Sequence, residues 1–358
     1  MKILFIMEQT LGHITHTVRL REQVEREFDI DAEWLLVPFD APDRWQNMPL
    51  VSENWTLRAS LRTRDMVRQS LQKQTPDLFF FHTQVTALFA GEFRKLRPTV
   101  VSMDATPQNV DTVEGSYGLK SGSRLVERFK NSINRRAFSS ASHLITWCDW
   151  ARRSLINDYG IEENKITVIP PGVDSEIWSF DRSAREAGPV RMLFVGGDFQ
   201  RKGGELLLDT FKILPAGIAE LDIVTRDTVN THNQPGVRIH HGLQSGCKRM
   251  LQLYHNADMF VFPTLGDCLP IAVMEAMMAG LPVIASRVGA LDEEVLHGQT
   301  GLLIPPDDGS ALLDAMLQMV KDEPSRRAMG QCGRATAANR FNAVKNYGAV
   351  LQQLRNTI

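Results

Sequence analysis

Two acids, Asp267 and Glu275, stand close together in the run PTLGDCLPIAVMEAMMAGLP, residues 263–282. Asp267 falls in a loop that ends at Pro270, and Glu275 falls inside the helix-forming run Ile271–Ala279, closed by Gly280 and Pro282. Pro270 suits the first helical position and Gly280 the C-terminal cap. A helix that opens beyond a strand offers unpaired N–H groups and the positive end of its dipole, which suits an anion. Glu275 shares a face with Ile271, roughly 6 Å along the axis. Acids on both sides of an anion accept hydrogen bonds from hydroxyls, which fits a ligand with phosphate at its centre and a sugar at each end. A capping aspartate and a solvated helix glutamate explain the same spacing equally well.

Cations for such a ligand stand in FVGGDFQRKGG, residues 194–204, where Arg201 and Lys202 follow a glycine turn. Glycines let the backbone approach a phosphate, and the cations offset its charge without a metal. A solvated loop ahead of a helix is the alternative.

The elements that must hold these residues are legible as short apolar runs. In the first half they are Lys2–Met7, Ala32–Val37, Asp77–His82, Pro98–Met103, Ser142–Trp147 and Ile166–Ile169. In the second half they are Arg191–Gly196, Leu221–Thr225, Val237–His240, Asp258–Phe262, Pro282–Ser286 and Gly301–Ile304. Amphipathic stretches such as Thr15–Phe28, Glu205–Leu214 and Lys248–Asn256 lie between them. Alternating β and α units predict a doubly wound parallel sheet, and the repeated series predicts two Rossmann-like α/β domains. The break is expected in Pro170–Asp174, with Glu176–Gly188 as linker. The domains are thus 1–173 and 174–340, with 341–358 crossing back to complete the first.

Composition is that of a globular chain: 358 residues, 43% hydrophobic, 23% charged and a net charge of −2. That charge gives no reason to expect a nucleic-acid partner. The four cysteines form no CxxC pair, which argues for a reducing compartment and against a zinc site. The opening MKILFIMEQT has too short an apolar run for a secretion signal, and no later run reaches the ~18 residues of a membrane span. A cytoplasmic location is expected.

The 263–283 segment resembles the retaining glycosyltransferases of family 4, which have the two-domain GT-B fold. The match is carried by Asp267 through Glu275 and by EAMMAGLPV, residues 275–283. KITVIPPGVD at 165–174, GALDE at 289–293 and GQTGLLIPP at 298–306 are also similar to that family. The resemblance implies transfer of a sugar from a UDP- or GDP-linked donor, bound in the cleft between the domains, to a saccharide or lipid-linked acceptor hydroxyl. It implies retention of anomeric configuration and no metal or other cofactor. By resemblance Asp267 binds donor-sugar hydroxyls and Glu275 the ribose; the family usually has Glu at the first position, so Asp267 is a departure. Backbone N–H groups of Cys268, Leu269, Ile271 and Ala272 remain to meet sugar and phosphate, while Pro270 has none. Relatives show VGR and then KG in the glycine turn. Lys202 matches the lysine, Gly197 stands where the arginine would be, and Arg201 is taken to supply the missing charge.

The first half is less specific. TLGHITHT, residues 10–17, follows the first strand, and Gly12 and His13 are candidate donor-site residues in what reads as a loop; His16 is assigned to structure. Asp104 follows the fourth strand, where relatives place a histidine, and is the candidate for contact with the transferring sugar. A turn aspartate is the alternative, and His82 is the neighbouring histidine. Asp29-Ile30-Asp31 resembles a metal-binding DxD but lies at the wrong edge of the sheet and is assigned to a surface turn. Residues 120–136 carry six Lys/Arg beside Leu125, Phe129 and Ile133. They form either a core-facing stripe with solvated charges or a peripheral contact with the inner face of a membrane. A sugar-nucleotide 2-epimerase of the same fold and a non-catalytic partner subunit are the competing functions.

Overall fold

The computed structural model describes every residue except 39–40, 49–50, 52–53, 114–123, 181–187 and 232; of 11, 124 and 125 it describes the backbone alone. The described residues form two compact units. One comprises Met1–Thr112, the described part of Lys120–Pro171, and Val344–Ile358; the other is built on Gly172–Ala343.

The first unit carries β1 (Lys2–Gln9), β2 (Asp31–Pro38), β3 (Leu78–His82), β4 (Thr99–Met103), β5 (His143–Thr146) and β6 (Ile166–Val168). Their order across the sheet is β2-β1-β3-β4-β5-β6, all parallel. Ile3–Met7 and Leu78–Phe81 are each at most 1% exposed. Such two-sided burial is what an apolar run without polar alternation encodes. Each enclosed Phe of β3 contributes about 1.5–3 kcal/mol in removal from water. The C-terminal helix Ala343–Thr357 buries Tyr347, Val350, Leu351 and Leu354, and Arg355 near its end pairs with Glu27 and Asp29. Asp29 is thereby a surface partner of an arginine, and its carboxyl is held below the ordinary range chiefly by that hydrogen bond.

The second unit carries β7 (Val190–Val195), β8 (Ala219–Val224), β9 (Val237–His240), β10 (Met259–Phe262), β11 (Val283–Ser286) and β12 (Gly301–Ile304). The order is β12-β11-β10-β7-β8-β9, again all parallel. In each sheet the winding direction reverses once, between β1 and β3 and between β10 and β7. Loops at the carboxyl ends of the strands flanking such a reversal diverge and leave a crevice suited to ligands.

Every expected strand is present, but three local expectations are corrected. The first helix is Leu11–Val24, so Gly12 and His13 lie in its first turn and not in a loop. The Thr10 hydroxyl, placed at the N-cap, donates to Glu8 at 2.5 Å and does not cap. Within Glu176–Gly188, expected as linker, the helical turn Ser175–Trp178 buries Trp178 edge-on against Tyr254, with ring centroids 4.8 Å apart. Pro270 is the N-cap of Ile271–Met278, one position earlier than expected, and its carbonyl accepts from Val273 N–H at 3.0 Å. Gly280 ends that helix with φ of +76°, a conformation glycine adopts without strain.

Candidate functional site

In the second unit the loops after β7 and β10 are bound to one another at the sheet reversal. Leu265 N–H donates to the Arg201 carbonyl at 2.9 Å, and Thr264 Oγ1 donates to the same carbonyl at 3.2 Å. Gly203 has φ of +76°, and a Cβ there would lie 1.9 Å from the Pro263 carbonyl oxygen, so only glycine permits this contact. The loops bring Lys202 Nζ into a hydrogen-bonded ion pair with Asp267 Oδ2, the two side chains being 14% and 12% exposed. The ammonium also lies 5.3 Å from the centroid of the Phe262 ring. Burial draws the Lys202 ammonium below its ordinary pKa, against the pull of Asp267. The other oxygen of Asp267 accepts from Cys268 N–H at 3.0 Å, so that amide is already engaged.

Glu275, 4% exposed, accepts from Ser245 Oγ at 2.6 Å and from Tyr254 Oη at 3.4 Å. Hydroxyl donors are what a ribose would present to the same oxygens. Leu269 and Ile271 are buried beside Pro270, and Ile271 and Ala272 open the helix.

The arginine of this loop turns inward. Arg201 is 5% exposed, with Nε donating to Asp198 at 2.9 Å and Nη1 donating to the Gly266 carbonyl at 2.6 Å. Through Nε and Nη1 it braces the two loops. An arginine that the sequence did not single out stands beside Gly197. A Cβ on Gly197 would lie 2.7 Å from Nη2 and 2.9 Å from Nε of Arg226, an exposed arginine just past β8. The space that a side chain at 197 would fill is taken by this guanidinium. Nothing in the sequence separation of 197 and 226 signals the contact; only the pairing of β7 with β8 creates it.

The first unit has its own polar cluster at the reversal between β1 and β3. His13 Nδ1 and His82 Nε2 are 2.7 Å apart and share one proton. His13 Nε2 lies 3.9 Å from Asp104 Oδ2. His82 stacks on Trp147, with centroids 5.2 Å apart. Behind them His16 packs against His82, Trp147 and Tyr347, its Nδ1 3.3 Å from the Tyr347 hydroxyl. Glu8 accepts from the Thr10 and Thr83 hydroxyls at the foot of the cluster. Asp104 and His13, separate candidates in sequence, are therefore neighbours, while Gly12 is exposed and His82 is fully buried. Among the described residues no group of three His, Cys, Asp or Glu is placed to hold a metal ion.

Known families cover both units. A model described as glycosyl transferases group 1 matches residues 189–322, and one described as glycosyltransferase family 4 matches residues 16–177. Each unit thus matches a glycosyltransferase family model, the first that of family 4. The chain is similar to the D-inositol 3-phosphate glycosyltransferase of Paenarthrobacter aurescens, at 24% identity over 260 residues, 67% of this chain and 64% of the relative. It is also similar to the capsular polysaccharide biosynthesis glycosyltransferase CapM of Staphylococcus aureus, at 26% identity over 235 residues, 59% of this chain and 60% of CapM. The aligned chain thus spans less than two thirds of the length of these relatives. Among solved structures, sucrose-phosphate synthase from Thermosynechococcus elongatus superposes with a TM-score of 0.79 at 18% identity, covering 100% of both chains. HepE of Anabaena in complex with UDP-glucose gives 0.72 at 17% identity, covering 99% of this chain and 100% of HepE. The chain accordingly has the two-domain α/β fold of GT-B glycosyltransferases.

The histidine cluster makes the first unit acid-sensitive. His16 is 2% exposed, and burial, then His13 and Arg19, lowers its pKa from 6.5 to about 3; His82 is also held well below its ordinary value, chiefly by burial. Unfolding lets each take up a proton that the folded state refuses. Stability is therefore full above pH 6.5 and falls as pH drops towards 3. The His16 share is about 1.4 kcal/mol per pH unit. Urea unfolding across this window is expected to show a shallower pH slope for His16→Gln than for wild type, whatever the absolute stabilities. Equal slopes would mean that His16 is charged in the folded chain.

Proposed function

We propose that this chain transfers a glycosyl unit from a nucleoside-diphosphate sugar to an acceptor hydroxyl, with retention of configuration and without a metal. The observation that carries this reading is the Lys202–Asp267 pair at the sheet reversal, beside the opening of the helix Ile271–Met278 and one turn from Glu275. A bound diphosphate would draw Lys202 from Asp267, freeing the carboxylate to accept from donor-sugar hydroxyls while Glu275 accepts from the ribose. Leaving-group charge would then grow against Lys202, the helix dipole and the N–H groups of Ile271 and Ala272. Arg226, in place of Arg201, is read as the second cation. His13 and Asp104 of the first unit are read as hydrogen-bonding partners for sugar hydroxyls, with Asp104 orienting the imidazole. HepE solved with UDP-glucose makes UDP the first nucleotide to test.

The exposed apolar residues of the helix Arg124–Ser139 support a membrane-surface location for the acceptor. Val126 and Phe129 are 56% and 68% exposed, beside exposed Arg128, while Asn134, Ala137 and Phe138 face inward. The expected core-facing stripe through Phe129 is therefore corrected; the part of 120–136 before Arg124 lies outside the described residues. Apolar side chains among arginines suit an anionic bilayer surface. Among the described residues no helix is long and apolar enough to cross a membrane.

In a panel of UDP- and GDP-sugars assayed for nucleotide release with and without acceptors, Glu275→Gln is expected to lower kcat/KM by about 10- to 100-fold, the cost of a charge-assisted hydrogen bond. Arg226→Ala should lower it about 10-fold. Activity indifferent to both would contradict the site, and an altered sugar nucleotide without acceptor would identify an epimerase. In sedimentation with vesicles, wild type is expected to follow phosphatidylglycerol but not neutral phosphatidylcholine, and Phe129→Ser to lose that binding. Wild type that ignores both lipids would remove the membrane contact.

A further inference from the structure

The sequence Asp292-Glu293-Glu294 reads as a solvated acidic run, yet Glu294 is 0% exposed and neither of its oxygens has a hydrogen-bond partner. Buried polar groups are almost always paired, because leaving one orphaned is costly, and an apolar side chain of similar size would avoid that cost. Its location gives the orphan a neighbour of consequence. Glu294 ends the helical turn Leu291–Glu294, and the loop leading into that turn is pressed on Asp267. Ala290 N–H donates to the Cys268 carbonyl at 2.9 Å, and a Cβ on Gly289, at φ of +57°, would lie 2.0 Å from the Asp267 carbonyl oxygen.

The charges that act on Glu294 come from four places. Asp267 acts most strongly, followed by Arg340 at the end of Glu323–Arg340, Glu293 on its own turn, and Lys202. Arg340 is directed at the Glu293 carbonyl, to which its Nη1 donates. Burial first, and the Asp267 charge second, push the Glu294 carboxyl well above 4.5.

We propose that Glu294 is a positioning residue for donor binding: as a neutral acid it leaves one negative charge, on Asp267, to hold Lys202, and as a carboxylate it adds a second that keeps Lys202 from the donor. This rests on the donor reading above. A diphosphate must outcompete Asp267 for the ammonium. One carboxylate against two phosphate groups loses that contest, whereas two carboxylates retain the lysine and repel the incoming anion. Glu294 touches no reacting atom; it acts through Lys202 and Asp267.

The test is calorimetric titration of the full chain with UDP and with GDP as pH is raised from neutral, following one linked proton. Wild-type affinity for the nucleotide that binds is expected to weaken with rising pH, by at most about tenfold per unit. Glu294→Gln should keep the affinity of wild type at the lower end within about twofold and lose or displace the decline at higher pH. Glu294→Leu, which also removes the orphaned oxygens, should show the same displaced profile together with a higher melting temperature at neutral pH. A pH profile shared by wild type and both variants, or a flat wild-type profile, would overturn the role of Glu294 and leave the donor site standing. Failure of both nucleotides to bind wild type at any pH would overturn the donor reading and this inference together.

Discussion

The ion pair between Lys202 and Asp267 is the constraint on which the second unit's site depends. Two opposite charges are enclosed where the loops after β7 and β10 meet, and neither tolerates enclosure alone. The glycines around them serve this contact. Gly203 lets the lysine loop rest on the Pro263 carbonyl, and Gly289 lets a third loop rest on Asp267 itself. Arg201, bonded to Asp198 and Gly266, fixes the loops to each other. An enclosed pair of this kind favours an anionic ligand that can replace the carboxylate as the lysine's partner.

The two sheets reverse winding in the same way but hold different chemistry at the reversal. The first has neutral, buried imidazoles backed by Trp147 and Tyr347; the second has a buried ion pair with an orphaned acid behind it. Their responses to pH run in opposite directions. The histidines lose stability as pH falls, because the folded chain refuses protons that the unfolded chain accepts. The Glu294 carboxyl weakens the fold as pH rises, because the folded chain keeps a proton that the unfolded chain releases.

Much of this was legible in sequence because strands buried on both faces leave continuous apolar runs, as LFFF at 78–81 shows. The acids Asp267 and Glu275 stood out through the family resemblance of 267–283, since their spacing alone fits a capping aspartate and a solvated glutamate equally well. What could not be read had a spatial cause. Gly12 and Thr10 look like loop residues, yet the helix begins at Leu11 although the Thr10 hydroxyl is turned back to Glu8 and does not cap it. Phe129 looks like a core residue by its spacing, but Asn134, Ala137 and Phe138 define the buried face. Arg226 gives no signal, since its proximity to Gly197 arises only when β8 pairs with β7. Glu294 is masked by its acidic neighbours.

The central claim is that Lys202 exchanges Asp267 for the donor's phosphates, and it is tested most directly by the affinity that those phosphates add. Calorimetry of the parent nucleoside and its diphosphate should show wild type binding the diphosphate far more tightly, with Lys202→Met losing most of that difference while binding the nucleoside alone as before. An undiminished difference in Lys202→Met would contradict the account.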